Sequence, residues 1–385
     1  MGPVRVKNNW LVARYDDVGT VLTNSTLSKR FSAFNTDLPL QKSVIYQDPP
    51  DHARLRSVVQ EFFVPKAIRQ MEESVAQVVT DLICRTKRNQ KMEFISEFAN
   101  RLPITVIASL FGIPGEKHES LHKSSQDFVD GTNPNLPGRR AAFQQTKAVK
   151  ALRQYFREAI DELQKCDPSG LLTKLVIAHR EGSMTEEELV EMCVALIIGG
   201  ADTTTNLMGT GLLSLLGHPS QLHEIRNNAD LMKGAVEEML RHESPVQQST
   251  FRVTTKALTI GGVEIPEGQS VIAIIGSANR DPDKFSDPDR FDIHRKPLGH
   301  YAFGGGIHFC IGAALARIEA TVALTSLITE LPDLRLAKEN LNWTAKLPDA
   351  GRWFGTSLLD GSDRTTVGWR HHPTIRGLRY LNLAW

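Results

Sequence analysis

Four cysteines are all that this 385-residue chain contains: Cys84, Cys166, Cys193 and Cys310, widely scattered and with no Cys-x-x-Cys pair. That argues against a zinc site or a dithiol redox motif and favours a cytoplasmic protein with reduced thiols. No run of about 18 apolar residues occurs, so no membrane-spanning helix is expected. The opening MGPVRVKNNWLVARYDDV lacks the apolar stretch of a signal peptide. Neither sign of charge dominates: 45 Lys and Arg stand against 44 Asp and Glu, a formal net charge of +1. Nothing in that balance points to nucleic acid or an anionic membrane. Internal repeats and low-complexity linkers are missing too.

What is present suits a globular chain with ample material for a buried core. Val4 and Val6, a turn at Asn8-Asn9, and Trp10 to Val12 read as a strand pair. Residues 48–85 read as helical after Asp-Pro-Pro, and 92–180 as helical segments broken at Gly112-Ile113-Pro114 and at 131–138. The clearest element spans about 186–216, opened by a Thr185/Glu188 capping box and stopped at Gly217-His218-Pro219. At 1.5 Å per residue it would run roughly 46 Å, enough to cross a domain. A helix at about 230–243, strands within 257–275, a helix at about 312–330 and extended segments complete the chain. This is an α+β pattern, mainly α, without alternating βαβ units. Cys84 and Cys193 fall in apolar helical patterns and read as buried structural cysteines.

Several stretches carry chemistry. In ALIIGGADTTTNL, Gly199 and Gly200 lie mid-helix, at a cost of about 1 kcal/mol each relative to alanine. One reading is a kink packed on a neighbour, with Asp202 reaching solvent. The other is that the glycines make room for a flat ligand, with Asp202 and Thr203 as a proton-relay pair beside it. In VEEMLRHESP, Glu238 and Arg241 meet on one helix face; a buried version would need another partner, for which Arg290 is the candidate. In YAFGGGIHFCIG, Cys310 precedes a helix start, whose N–H groups and dipole would stabilise a thiolate ligand. Gly304, Gly305 and Gly306 allow close approach to a planar group, and Phe303 could shield the sulfur. A glycine-rich turn before a buried cysteine is the plainer reading. A dinucleotide fingerprint is unsupported, because no strand-turn-helix with a following acid accompanies the glycines.

Together these residues resemble the cytochrome P450 family. FGGGIHFCIG (303–312) matches its cysteine signature, GGADTT (199–204) its central-helix motif, EEMLR (237–241) its Glu-x-x-Arg pair, and DPPDHARLR (48–56) its haem-contacting helix. The motifs follow the family's order over nearly the whole chain. The resemblance implies a single P450 domain over 1–385 that binds haem b, with the Cys310 thiolate as axial iron ligand. It places Phe303, Gly304 and Gly312 around the cofactor. His52, Arg56, Arg252 and His308 would hold the haem propionates. Asp202 and Thr203 match the acid–alcohol pair that supplies protons, and Glu238, Arg241 and Arg290 the structural triad. The implied reaction is monooxygenation: two electrons and two protons reduce dioxygen, one oxygen atom enters the substrate and the other leaves as water.

The resemblance also implies an external electron donor, a ferredoxin with its reductase, docking on the cysteine side near Arg56, Lys66, Arg69 and Arg317. A monomer is expected. Substrate contacts carry over to Ala195, Ile198 and Gly199, to Gln247, Gln248 and Thr250, and to Thr374 and Ile375. The polar middle group suggests a substrate with hydrogen-bonding groups, such as a natural-product scaffold. Two departures stand out. The helix that usually precedes the first strand pair is absent, and about 25 residues, roughly 344–368, look inserted before the last substrate contacts. Desaturation or oxidative coupling by the same haem chemistry, and a non-catalytic haem-binding sensor, are the alternatives.

Overall fold

The computed structural model describes residues 2–30, 39–133, 138–163, 170–296, 299–337, 366–370 and 372–385. The chain opens with β1 (Val4–Val6) and β2 (Asn9–Val12), the hairpin expected from the Asn-Asn turn, then α1 (Tyr15–Thr23) and β3 (Leu27–Ser28). A helical series follows: α2 (Asp51–Gln60), α3 (Pro65–Gln70) and α4 (Glu72–Lys87). After β4 (Lys91–Glu93) come α5 (Arg101–Phe111), α6 (His118–Gly131), α7 (Gly138–Leu163) and α8 (Leu171–Arg180). Gly112 ends α5 in the left-handed region, at φ +78°, where glycine carries no Cβ penalty.

The long helix, α9 (Glu186–Leu216), has 31 residues and begins at the predicted capping box. The Glu188 N–H donates to Thr185 Oγ1 at 3.2 Å, and the Thr185 N–H donates back to Glu188 Oε2 at 2.8 Å. Arg54 of α2 also binds Glu188, at 2.6 Å, tying the start of α9 to a neighbouring helix. Helices α5, α6, α7 and α8 pack around α9, as do α10 (Pro219–Asn227), α11 (Leu231–Glu243) and α13 (Ala313–Glu330). Its apolar residues on all sides are therefore buried, as a central helix requires.

The remaining strands are β5 (Arg252–Thr254), β6 (Leu258–Ile260), β7 (Val263–Ile265), β8 (Ser270–Ala273), β9 (Arg335–Leu336), β10 (Val367–Trp369) and β11 (Leu378–Ala384). A short helix, α12 (Ile275–Ala278), follows β8. One sheet runs β1-β2-β8-β5-β3, with only the β2/β8 pair parallel. Another runs β10-β11-β4, with β9 beside β11. Most of the core lies in the helical body, and a smaller apolar cluster backs the first sheet. The arrangement is α+β and mainly α, as the sequence predicts.

Two expectations change. Cys84 is exposed, because it sits on the outer face of α4, so only Cys193 of that pair is buried. Cys166 lies outside the described residues. Of the apparent insertion, 344–365 also lies outside them, but Val367 and Gly368 belong to β10 and pair with Leu381 and Tyr380 of β11. The tail of that segment is thus part of a sheet.

Candidate functional site

Cys310 sits in a tight loop closed by backbone bonds. Its N–H donates to the Phe303 carbonyl at 2.9 Å, and the Gly304 N–H donates to Tyr301 at 2.8 Å. Gly304 and Gly306 have φ of +72° and +64°. A Cβ on Gly306 would lie 2.7 Å from the Leu22 carbonyl, so glycine is required where the loop passes α1. Cys310 itself is exposed, as are Ile307 and Phe309 beside it. The protein packed round the sulfur pushes its thiol pKa up; the Gly312 N–H, Arg56 and Arg317 oppose that rise. Those three favour a thiolate, and Gly312 caps α13 as the sequence predicts. Arg317 lies 4.5 Å from the centre of the Phe303 ring.

A group of basic residues gathers nearby from distant parts of the chain. His52 and Arg56 come from α2, Arg252 starts β5, and His308 precedes the cysteine. The His52 and His308 rings meet edge to face at 4.3 Å. Arg56 donates to the Phe309 carbonyl at 2.9 Å. Burial pulls Arg252 down to about 10. Burial also drives His308 down to about 2, helped by Lys29, His52, Arg252 and Arg56. Lys29 was not among the predicted residues, since no motif marks it. His52 Nε2, His308 Nε2 and Arg252 Nε are buried without a hydrogen-bond partner. Orphaned buried donors among repelling cations are costly unless an anion meets them. An accessible thiol beside such donors fits a haem with anionic edge groups.

Helix α9 is opened at one spot. Between Glu188 and Leu213 every residue is buried except Gly199, Gly200 and Thr203. A Cβ added to Gly199 would have no atom within 4 Å, whereas one on Gly200 would touch Ile107 of α5 at 3.4 Å. Gly200 thus packs on a neighbour, whereas Gly199 faces open space. Ala195 and Ile198 are buried beside it. The Thr203 hydroxyl donates to the Gly199 carbonyl at 2.8 Å.

Asp202 does not reach solvent. It is 1% exposed and paired with Arg370, which donates at 2.6 and 2.8 Å, and it accepts from Asn206 at 3.1 Å. Among the described residues no hydrogen bond joins Asp202 to Thr203. Burial tends to lower the pKa of Arg370, but Asp202 and Asp130 overcome this and raise it. A polar cleft of about 400 Å³ borders the pair, lined by Asn100, Asp130, Asn206 and His372 among others. Arg370 escaped prediction because its partner lies 168 residues away in sequence.

Glu238 and Arg241 form a fully buried two-bond pair at 2.7 and 2.8 Å. The third partner is not Arg290. The Arg290 side chain is 67% exposed and lies 3.6 Å from Asp292, while its backbone carbonyl accepts from Arg241. Arg295 turns inward instead and reaches Glu238 at 3.2 Å. In DRFDIHR both arginines have the right chemistry, and the turn between them decides which points in.

The candidate substrate contacts converge in part. The Gln247 N–H donates to the Thr374 carbonyl at 2.7 Å, and Val246 bridges Ile375. The Gln247 side-chain amide donates to Glu243 and Ser244 carbonyls, leaving its buried Oε1 without a partner. Gln248 is half-buried and Thr250 exposed. Of the candidate docking residues, Lys66 and Arg69 are exposed. Arg317 is engaged by Glu237 and Arg56 by the cysteine loop.

Comparison with known proteins agrees with this geometry. The cytochrome P450 family profile matches residues 4–332. Cytochrome P450 107B1 of Saccharopolyspora erythraea is 38% identical over 93% of this chain and 88% of its own length. Cytochrome P450 monooxygenase PikC of Streptomyces venezuelae is 34% identical over 98% of this chain and 85% of its own. The structure of CYP109E1 from Bacillus megaterium in complex with testosterone superposes with a TM-score of 0.87 at 29% identity, covering 99% of this chain and 94% of that one. The cysteine loop, the opened central helix and these likenesses lead to one conclusion: the chain belongs to the cytochrome P450 family of haem-thiolate monooxygenases.

Proposed function

We propose that the chain binds haem b and oxidises a small organic substrate of natural-product type with hydrogen-bonding groups. The observation that carries the cofactor assignment is the accessible Cys310 thiol beside buried, unpartnered donors on His52, His308 and Arg252. When bound, the haem supplies dioxygen reduction and transfer of one oxygen atom to the substrate. Cys310 would hold the haem iron through its thiolate, which the Gly312 N–H, Arg56 and Arg317 favour. Phe303, Gly304 and Gly312 shape the loop around it, and His52, Arg56, Arg252 and His308 would hold the propionates. Glu238 and Arg241 keep the fold around the cofactor, with Arg295 in the place first given to Arg290.

The opening at Gly199 is the supported place for substrate, walled by Ala195 and Ile198 on α9. The family resemblance assigns Gln247, Gln248, Thr250, Thr374 and Ile375 to the substrate as well, and the Gln247 Oε1 lacks a partner. Thr203 orients protons at its hydroxyl. Asp202 is the acid of the relay and borders the polar cleft; both its oxygens are held by Arg370, which must loosen before they can meet another group. Electrons come from a ferredoxin and its reductase in the cytoplasm, with Lys66 and Arg69 as the exposed docking cations on a monomer. Among the described residues no helix is long and apolar enough to cross a membrane.

The reduced, carbon monoxide-treated protein tests the ligand: the red-shifted Soret band of a thiolate adduct is expected, and its absence rejects Cys310. Labelled dioxygen then tests the reaction, with one labelled atom expected in the product. An unlabelled product would replace hydroxylation by desaturation or coupling. A protein that binds haem but turns over no member of a broad natural-product panel would favour the sensor alternative.

A further inference from the structure

Lys29 belongs to none of the sequence motifs. It follows β3 directly and is 6% exposed. A buried ammonium is costly unless an anion or several acceptors surround it. Its Nζ instead donates to the neutral Thr250 hydroxyl, and among the described residues it forms no ion pair. The nearest carboxylate influence is Asp48, but that group already accepts from the Ser28 hydroxyl and the Lys29 backbone N–H, at 2.5 and 3.0 Å. Arg252 repels Lys29 from β5. Lys29 in turn acts on His52 of α2 and on His308 of the cysteine loop, which also feel Arg56. Burial, then Arg252, bring Lys29 down to about 7, with Asp48 opposing.

Five basic residues from four segments thus surround one place, and three of them leave buried nitrogens unpartnered. Hydrogen bonds to backbone or hydroxyl cannot cancel the like charges of Lys29, Arg56 and Arg252. An anion bearing more than one carboxylate can.

We propose that Lys29 is a further haem-anchoring residue, whose ammonium pairs with a propionate carboxylate, so that haem binding takes up a proton from solvent at Lys29. This rests on the reading of the cofactor as haem b, which carries two free propionates. The sign of the linkage follows. A carboxylate partner raises the lysine above its haem-free value, so the added affinity is complete below about pH 7. It weakens as pH rises from there toward the raised value, by up to about tenfold per pH unit.

The test is haem release from purified holoprotein to excess haem-scavenging apoglobin, from about pH 6 to about pH 9.5. Wild type, Lys29→Met and Lys29→Arg are compared. Lys29→Met is expected to release haem roughly 10- to 100-fold faster at neutral pH, as for a lost charged hydrogen bond. Lys29→Arg should retain haem without the alkaline weakening that the lysine shows. The comparison is repeated after reconstitution with haem dimethyl ester, where the wild-type and Lys29→Met rates should converge. Equal rates and pH profiles with ordinary haem would overturn the proposal. So would an unchanged ratio with the ester, because a structural effect does not depend on propionate charge. A pyridine haemochrome spectrum of the wild-type extract other than that of iron protoporphyrin IX would overturn the haem b assignment, and this proposal with it.

Discussion

Arg370 donates to both carboxylate oxygens of Asp202, at 2.6 and 2.8 Å, and so ties the central helix to the end of β10. With Asp202 1% exposed, removal of the arginine leaves an uncompensated buried charge. Arg370→Met is expected to destabilise the protein by about 3–5 kcal/mol in urea unfolding. Adding Asp202→Asn should recover much of that loss. A single variant as stable as wild type would mean the pair is not held in solution.

The two arginines of DRFDIHR should behave differently. Arg295→Ala strips a buried bond from Glu238 and is expected to cost about 1–3 kcal/mol. Arg290→Ala removes an exposed side chain and should stay within about 0.5 kcal/mol of wild type. Thermal and urea unfolding of both variants check this; the reverse order would restore Arg290 to the triad.

Neighbouring glycines separate packing from binding. Gly199→Ala places a methyl in open space on a helix and should stabilise by up to about 1 kcal/mol. It should also weaken the ligands that produce a spin-state shift, because the methyl takes their room. Gly200→Ala meets Ile107 instead and should leave those titrations unchanged. Equal ligand affinities across both variants would remove the opening from the substrate site.

Glu237 sets an acid limit. Burial tends to raise its pKa, but hydrogen bonds from His300 and Arg317 bring it to about 2. Its contribution is complete above the unfolded value of 4.5 and is lost as pH falls toward about 2. Glu237→Gln should therefore lower the melting temperature at neutral pH and lie close to wild type near pH 2. A constant gap across that window would assign the effect to packing.

Local patterns were legible wherever neighbours in sequence are also neighbours in space. The capping box of α9, the β1–β2 hairpin, the glycine loop at Cys310 and the Glu238–Arg241 pair all depend on residues within a few positions of one another. Cys84 misled because an apolar pattern in a two-sided helix leaves one face outside. Lys29 and Arg370 were missed because a lone basic residue carries no local sign of what it will meet.

The sequence by itself determined the family and the course of the central helix, and it singled out Cys310 as the candidate iron ligand, through short motifs whose spacing sets backbone geometry. Only the tertiary structure decided which arginine completes the triad, which glycine opens the helix, and that Asp202 is clamped by Arg370. It also put Lys29 close to Arg252, His52 and His308. Those outcomes depend on charge meeting charge between segments far apart in sequence, and burial sets their strength.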